Sequence, residues 1–221
     1  MKIIMGCDFD NTLVFTEELK SDIFAKIIKE EWDINFDLAK EHWPKFVGRR
    51  NIFDSIYKQK FHKNLSDKEF KRVNDKFTEI ISVEYKNCEL VPNILDFLKF
   101  CSNKFDFFFV CSGVPNNELK QALKIKNIYK YFDYIQGTTK MYRNKEDILN
   151  KILNMCKPKL AFFLGDHPID MKAASKVKMI GIGLLTTNSS EDLLRAGATY
   201  TTTPDKILSL IKDLLKKELK F

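Results

Sequence analysis

The chain has 221 residues, of which 44% are hydrophobic and 13% aromatic, and its formal net charge is +7. This length accommodates one full domain with a modest insertion, and the apolar content excludes a disordered chain. The lysines alternate with acidic residues along helical stretches, which is typical of solvated helix faces, so we expect no nucleic-acid partner.

The cysteine pattern and the hydropathy indicate a cytoplasmic protein. The five cysteines are odd in number and form no C-x-x-C pair, so they predict reduced thiols rather than a disulfide framework or a zinc site. The first apolar run stops at Asp8, which is too short for a signal peptide, and no other run could span a bilayer. We therefore expect no membrane association.

Short β-branched and aromatic runs predict strands that alternate with helices. The predicted strands are residues 2–7, 106–111, 134–136, 160–164, 179–183 and 199–202. The stretches between them carry apolar residues at helical spacing, as at Ile148, Ile152 and Cys156. This alternation predicts an α/β fold with a parallel sheet that has helices on both faces.

One region interrupts the alternation. Residues 15–91 contain helical patterns and no convincing strand, so we interpret them as a helical insertion after the first strand. The predicted core is then residues 1–14 together with 92–221. Aromatic residues of the insertion are expected to form a small core of their own; they are Trp32, Trp43, Phe46 and Phe61.

Acidic residues follow the first predicted strand. Asp8 and Asp10 lie at its carboxyl end, where parallel sheets bind their ligands. One carboxylate could coordinate a metal and attack a substrate while the other transfers a proton. A lone D-x-D pair is a weak signal, and a calcium loop is excluded because its sixth and twelfth positions would be Leu13 and Leu19.

Two further segments could bind a phosphate. Ser112 and Gly113 follow the second strand before a helix, where a hydroxyl and backbone N–H groups can cradle an anion. Lys145 stands at the start of a predicted helix over 146–156, where its ammonium could balance phosphate charge. Taken alone, Ser112 also fits a turn residue and Lys145 a surface lysine.

The fourth strand ends in a second pair of acids. Asp166 and Asp170 are four residues apart, with His167 between them. Either acid could simply cap a helix, but magnesium prefers one or two carboxylates completed by water and phosphate oxygens. The order of all these signals, each at a strand end or helix start, points to one site.

This set resembles the haloacid dehalogenase superfamily, in its phosphatase branch with a helical cap inserted between the first and second motifs, similar to phosphoglycolate phosphatase and β-phosphoglucomutase. The resemblance covers essentially the whole chain. It implies a Rossmann-like core and a cap over residues 15–91. The run from Asp8 to Leu13 matches the first motif, Ser112 the second, Lys145 the third, and Asp166 with Asp170 the fourth.

The resemblance implies a magnesium-dependent phosphomonoester hydrolase that acts through a phosphoaspartate. Asp8 would be the nucleophile and Asp10 the general acid and base. The Mg²⁺ cofactor would be held by Asp8, the carbonyl of Asp10 and Asp166, with Asp170 supporting the metal shell or orienting the lysine. The phosphoryl group would be bound by the set Thr12, Ser112, Gly113 and Lys145.

Several assignments stay open in the sequence. Lys140 lies close enough to Lys145 to replace it in the third motif. His167 stands where the family usually has a small polar residue, and either contacts the substrate or is merely tolerated. Arg49 and Arg50 lie where related enzymes place a cap loop, and either bind an anionic substrate group or begin an ordinary basic helix.

The expected substrate is a small phosphorylated metabolite, because a lid that closes over the site excludes large partners. A sugar phosphate or a glycan precursor is the expected kind of metabolite. No obligate protein partner is evident. A sugar-phosphate mutase of the same fold is the alternative within the family, and a non-catalytic binding protein is the alternative from another class. The acid at Asp10 favours phosphatases and mutases over dehalogenases.

Overall fold

The computed structural model describes residues 2–43 and 48–218, and it divides into two compact units. Unit 1 comprises Met1–Phe15 and Glu89–Phe221, and unit 2 comprises Thr16–Cys88. These bounds differ by one residue and by three residues from the predicted bounds at 14 and 92.

Two backbone hydrogen bonds explain that difference; they lie where the chain leaves unit 1 and where it returns to it. Phe15 N donates to Glu89 O at 2.9 Å, and Val91 N donates to Leu13 O at 3.0 Å. Because the outgoing and returning segments bond to each other, residues on both sides stay with unit 1.

Unit 1 is built on a six-stranded sheet in which every adjacent pair is parallel. Its spatial order is β3-β2-β1-β4-β5-β6. The strands are β1 (Ile3–Cys7), β2 (Phe107–Pro115), β3 (Tyr134–Thr138), β4 (Leu160–Gly165), β5 (Ile180–Leu184) and β6 (Tyr200–Thr202). The predicted α/β class with a parallel sheet is confirmed.

The central strands are almost entirely apolar because both faces of the sheet are covered. On β1 all five residues are buried. Gly6 is required there, since a Cβ at this position would lie 2.2 Å from the ring of Phe109 on the neighbouring strand. The ring therefore lies over β1 directly before the acidic segment.

Helices cover the sheet on both faces. They are α5 (Ile94–Lys104), α6 (Asn116–Ile125), α7 (Lys145–Cys156), α8 (Pro168–Lys176), α9 (Ser190–Arg195) and α10 (Ile207–Glu218). On one face α7 and α8 share a core with Ile4 and Phe109. Phe108 points to the opposite face, where it meets Phe97 of α5, and α10 packs on α5.

Within the described residues of unit 2, all regular secondary structure is helical. The unit contains α1 (Glu17–Trp32), α2 (Phe36–His42), α3 (Arg49–Phe61), α4 (Asp67–Glu84) and a short 3-10 turn at Tyr85–Asn87. Its centre is aromatic: Phe53 packs against Phe24, Trp32 and Phe77.

The predicted aromatic residues of this unit differ in their positions. Trp32 and Trp43 are buried in its core, whereas Phe61 is 37% exposed and packs on Tyr57. Phe46 lies outside the described residues.

The five cysteines are free and buried. Within residues 2–43 and 48–218, none of the helices has the length and apolar character needed to cross a membrane.

Candidate active site

Asp8 directly follows β1. This strand lies inside the sheet, with β2 and β3 on one side and β4, β5 and β6 on the other. The Asp8 N–H donates to Leu164 O at 2.9 Å, which continues the pairing of β1 with β4. Ligands of open parallel sheets bind at such a switch point, outside the carboxyl ends of the strands. The fold therefore places Asp8 where the crevice of the sheet is expected.

Asp166 follows β4, the neighbour of β1, and is 3% exposed. Each of its carboxylate oxygens accepts a hydroxyl hydrogen bond. Thr12 Oγ1 donates to Oδ1 at 2.9 Å, and Thr187 Oγ1 donates to Oδ2. Both oxygens of the Asp166 carboxylate are therefore held by hydroxyls of residues that are far away in sequence.

Lys145 is the first residue of α7, whose start is fixed by the Asn144 side chain accepting from Asp147 N. The Lys145 ammonium lies 2.7 Å from Asp8 Oδ1 and also bonds Asp170 Oδ1. Its side chain is 10% exposed, so the lysine is a buried counter-charge between two acids. Lys140 is exposed in the preceding loop, and among the described residues the ion pairs of Asp8 and Asp170 are with Lys145.

Asp170 lies in the first turn of α8 and is completely buried. Its Oδ2 accepts from His167 N at 3.2 Å, while the His167 side chain caps the helix by accepting from Ile169 N. Gly165 makes room for the carboxylate, because a Cβ there would lie 2.5 Å from Asp170. The glycine before Asp166 is therefore needed for Asp170 to approach the lysine.

Burial shifts the ionisation of the whole cluster. It raises the pKa of Asp8 to about 7 against the opposing charge of Lys145, and it raises the pKa of Asp166 to about 7 with help from Asp8. The pKa of Asp170 is also raised by burial. Burial alone would lower the pKa of Lys145, but Asp170 and Asp8 outweigh it and raise the pKa.

A family model described as haloacid dehalogenase-like hydrolase matches residues 4–184. The chain belongs to this family. The predicted superfamily is thereby confirmed, and the matched span contains all four of the motifs that indicated it.

Individual relatives of this hydrolase are remote in sequence. A phosphorylated carbohydrates phosphatase of Thermotoga maritima is 23% identical over 225 residues, which cover 94% of this chain and 97% of that protein. The phosphatase names among the relatives support the prediction that the enzyme is a phosphatase.

Solved structures share the fold along nearly the entire chain. A predicted phosphoglycolate phosphatase from Haemophilus somnus matches with a TM-score of 0.78 at 17% identity, covering 94% of this chain and 97% of that one. A predicted phosphatase from Clostridium acetobutylicum matches with a TM-score of 0.72 at 22% identity and covers 100% of both chains.

Three acids of the hydrolase could hold a metal ion. One carboxylate oxygen from each of Asp8, Asp166 and Asp170 lies within 4.8 Å of the others. Hard carboxylate oxygens suit a divalent cation such as magnesium. Asp8 Oδ1 is buried, and its charged partner is the Lys145 ammonium, 2.7 Å away. Three carboxylates and one ammonium leave a formal charge of −2, which a divalent ion would neutralise.

The segment after β1 carries Asp10 and Thr12. Asp10 is half-buried, and its backbone pairs with that of Val14 in an isolated β-bridge. Asn11 has a left-handed backbone conformation, with φ 50°, which turns the chain. Because the Thr12 hydroxyl gives its one hydrogen to Asp166, it would have to turn away from that acid to donate to a phosphoryl oxygen.

The residues proposed to bind phosphate, Ser112 and Gly113, lie within β2, which continues to Pro115 instead of ending at residue 111 as the sequence predicted. Ser112 is buried and its Oγ accepts from Val114 N at 3.2 Å, while Gly113 is exposed and its carbonyl accepts from Thr138. The β2–β3 register shifts between Cys111 and Pro115, which marks an irregular strand end. Ser112 and Gly113 therefore lie outside the regular pairing of β2 with β3.

The arginines of unit 2 have partners inside that unit. The Arg50 guanidinium donates to Asp67 Oδ1 and Leu65 O, and it lies over the Phe70 ring. Arg49 donates to Thr78 Oγ1 and lies 4.3 Å from the centre of the Phe77 ring. Their predicted role in substrate recognition stays a prediction, as does that of His167.

Sequence reasoning did not identify Thr187 or Asn188 as site residues. Asn188 Nδ2 donates to Asp166 O at 3.1 Å, next to the Thr187 contact. The only signal in the sequence is a short polar run after the fifth strand, and such runs are common in loops.

Proposed function

We propose that this hydrolase is a magnesium-dependent phosphomonoester hydrolase that uses Asp8 as nucleophile and Asp10 as general acid and base. The observation that supports this is the convergence of Asp8, Asp166 and Asp170 with Lys145 at the carboxyl edge of the sheet. Buried charges are costly for a fold, and clusters with displaced pKa values are typical of active sites.

In the first step a carboxylate oxygen of Asp8 attacks phosphorus while the phosphorus–ester oxygen bond breaks. Asp10 gives its proton to the leaving oxygen, so the alcohol departs neutral and the phosphoryl group stays on Asp8. The Lys145 ammonium, 2.7 Å from Asp8 Oδ1, counters the negative charge that gathers there.

In the second step water attacks the phosphorus of the phosphoaspartate. Asp10 takes a proton from that water, and the bond between phosphorus and the Asp8 oxygen breaks. Inorganic phosphate leaves, and Asp8 is again a carboxylate. One proton given and one taken return Asp10 to its starting state, so each turnover consumes only the ester and water.

Mg²⁺ would be held by Asp8, the Asp10 carbonyl and Asp166, and when bound it supplies positive charge to the phosphoryl oxygens. Asp170 would keep Lys145 in place. The phosphoryl oxygens would be bound by Ser112 and the Gly113 N–H, and by Thr12 once substrate binding has turned its hydroxyl away from Asp166.

The substrate is proposed to be a small phosphorylated carbohydrate. The relative from Thermotoga maritima is named for action on such compounds, and it aligns over nearly the whole of both chains. We further propose that unit 2 is the cap, that Arg49 and Arg50 bind an anionic group of the substrate, that His167 contacts it, and that the enzyme is cytoplasmic.

The test is phosphate release from a panel of small phosphomonoesters, with Mg²⁺ or with EDTA. Asp8→Asn is expected to reduce turnover by at least about 10⁴-fold, because it removes the nucleophile. Asp10→Asn should also abolish turnover. Asp213→Asn is the matched control, since Asp213 is an exposed acid of α10 whose side chain is 73% exposed.

Full activity of Asp8→Asn, or release that persists undiminished in EDTA, would refute the mechanism. Conversion of a sugar phosphate to its isomer without release of inorganic phosphate would identify a mutase instead. A folded, magnesium-loaded enzyme inactive on every ester would favour a binding function.

A further inference from the structure

The loop after β5 is a short segment that is fixed at both ends. Leu185 N donates to Thr202 O at 2.9 Å, which extends the pairing of β5 with β6. At the other end Ser189 caps α9 by accepting from Asp192 N at 3.1 Å. The residues between these anchors, 186–188, are therefore held at the carboxyl edge of the sheet.

Two side chains of this loop contact Asp166. Thr187 Oγ1 donates to Asp166 Oδ2, and Asn188 Nδ2 donates to the Asp166 carbonyl at 3.1 Å. Asn188 Nδ2 also donates to Thr187 Oγ1 at 3.1 Å. Because the threonine oxygen accepts from the amide, its own hydrogen is directed to the carboxylate.

The third side chain of the loop contacts the segment after β1. Thr186 Oγ1 donates to Asn11 O at 2.7 Å. Asn11 lies between Asp10 and Thr12 and has a left-handed backbone conformation. One loop thus contacts the segments that follow both β1 and β4.

We propose that Thr187, oriented by Asn188, is a positioning residue that fixes the rotation of the Asp166 carboxylate for binding of Mg²⁺. The inference rests on the proposed function and deepens it. A carboxylate offers about four acceptor positions. Hydroxyls from Thr12 and Thr187 occupy one on each oxygen of Asp166, which leaves a defined direction for a cation.

Magnesium makes such positioning important because it requires near-octahedral geometry at short distances. Partners that orient a metal ligand typically contribute about 10–100-fold to metal affinity or activity. Thr187 is exposed, so water could replace its hydroxyl in a smaller variant, but water would not be held by Asn188 and the backbone in the same way. We therefore expect an effect near the lower end of that range.

The test compares Mg²⁺ binding, by calorimetry without substrate, among four full-length proteins: wild type, Thr187→Val, Thr187→Ser and Thr201→Val. Thr187→Val should raise the Kd for Mg²⁺ about tenfold, and the same factor should appear in the Mg²⁺ concentration for half-maximal activity. The turnover of Thr187→Val at saturating Mg²⁺ should change by less than this factor. Thr187→Ser keeps the hydroxyl and should restore affinity to within about twofold of wild type.

Thr201→Val is the control for loss of a threonine hydroxyl in the same region. Thr201 lies on β6 and bonds Ser190 Oγ at 2.7 Å, away from Asp166. The Mg²⁺ affinity of the Thr201→Val protein should equal that of wild type. Thermal unfolding in EDTA shows whether each variant is folded. If Thr187→Val does not fold, Thr187→Ala provides a second variant without the hydroxyl.

The outcomes separate this inference from the proposed function. If wild type binds Mg²⁺ and releases phosphate while Thr187→Val binds Mg²⁺ equally well, the positioning role alone is overturned. Equal losses in Thr187→Val and Thr187→Ser would also overturn it, because they would assign the effect to packing. A wild type that neither binds Mg²⁺ nor releases phosphate would overturn both.

Discussion

The buried charge cluster of unit 1 and the ion pairs between helices of unit 2 place charged residues in different environments. In unit 1, Lys145 and three acids are buried together, and the pKa values of Asp8 and Asp166 are raised to about 7. In unit 2, charges such as Arg72 with Glu31 pair across the outer faces of helices, around a core of aromatic rings. Surface ion pairs contribute only about 0–1 kcal/mol, whereas buried charges must be compensated. The difference shows that the buried charges of unit 1 must compensate one another, whereas ion pairs such as that of Arg72 with Glu31 add little to stability.

The largest test of this contrast is Lys145→Met. Removing the ammonium leaves Asp8 and Asp170 without their shared counter-charge, so we expect a loss of about 3–5 kcal/mol in the free energy of unfolding. The turnover should fall by at least about 10²-fold. Chemical denaturation and phosphate release measure the two effects.

Lys140→Met is the matched control for that prediction. Lys140 is exposed, and its replacement should leave stability and turnover within about 0.5 kcal/mol and about twofold of wild type. A larger loss in Lys140→Met than in Lys145→Met would exchange the roles of the two lysines.

The next test moves an acid without removing it. Gly165→Ala would place a Cβ 2.5 Å from Asp170 and displace its carboxylate from Lys145. We expect a loss of about 1–3 kcal/mol in stability and about tenfold in turnover. Gly181→Ala on β5 is the control, since the tightest contact of its Cβ would be the flexible Met171 side chain, at 3.3 Å, and the backbone of Gly197 and Ala198 would lie at ordinary van der Waals distance. Similar turnover for both variants would show that Asp170 does not need its present position.

The third test uses pH to sharpen the contrast. Without metal, Asp8 and Asp166 have a pKa near 7 when folded and near 3.8 when unfolded, so the folded state binds more protons between these values. The free energy of unfolding in EDTA should therefore fall as pH rises from about 4 to about 7.

Mg²⁺ binds the deprotonated acids, so its affinity should rise with pH across the same range. The increase in Tm caused by Mg²⁺ should be larger at pH 8 than at pH 6, by the equivalent of at least about 1.4 kcal/mol for a tenfold change in Kd. A pH-independent increase would contradict the assignment of these acids, and Asp166→Asn should weaken the dependence.

The smallest effects are expected in unit 2. Arg50→Ala removes the contacts with Leu65 O and Asp67 and should lower stability by about 1 kcal/mol. If the arginines also recognise substrate, Arg49→Ala with Arg50→Ala should raise KM several-fold more for a sugar phosphate than for a generic aryl phosphate. Equal effects on the two substrates would leave the arginines a purely structural role.

The strands and the acids at their ends could be predicted because their signals are local. Continuous apolar runs such as residues 160–164 identify buried strands, and the carboxyl ends of parallel strands meet at one edge.

Other features could not be predicted because they depend on which atoms meet after folding. Thr187 bonds an acid 21 positions away, and Thr12 bonds the same acid from 154 positions away. No periodicity or spacing encodes such contacts. The sequence likewise left open whether Lys140 or Lys145 lies beside the acids, and it is Lys145 that contacts Asp8 and Asp170 in the structure.

The parallel α/β core, the family and the acids available for chemistry can be predicted from the amino-acid sequence, because apolar periodicity and strand-end motifs are properties of neighbouring residues. Folding is needed to bring together the side chains of the site: it buries the acids and so raises their pKa values, pairs one lysine with two of them, and brings two hydroxyls to Asp166. These depend on distances between segments remote in sequence, which are set when the sheet and its helices pack.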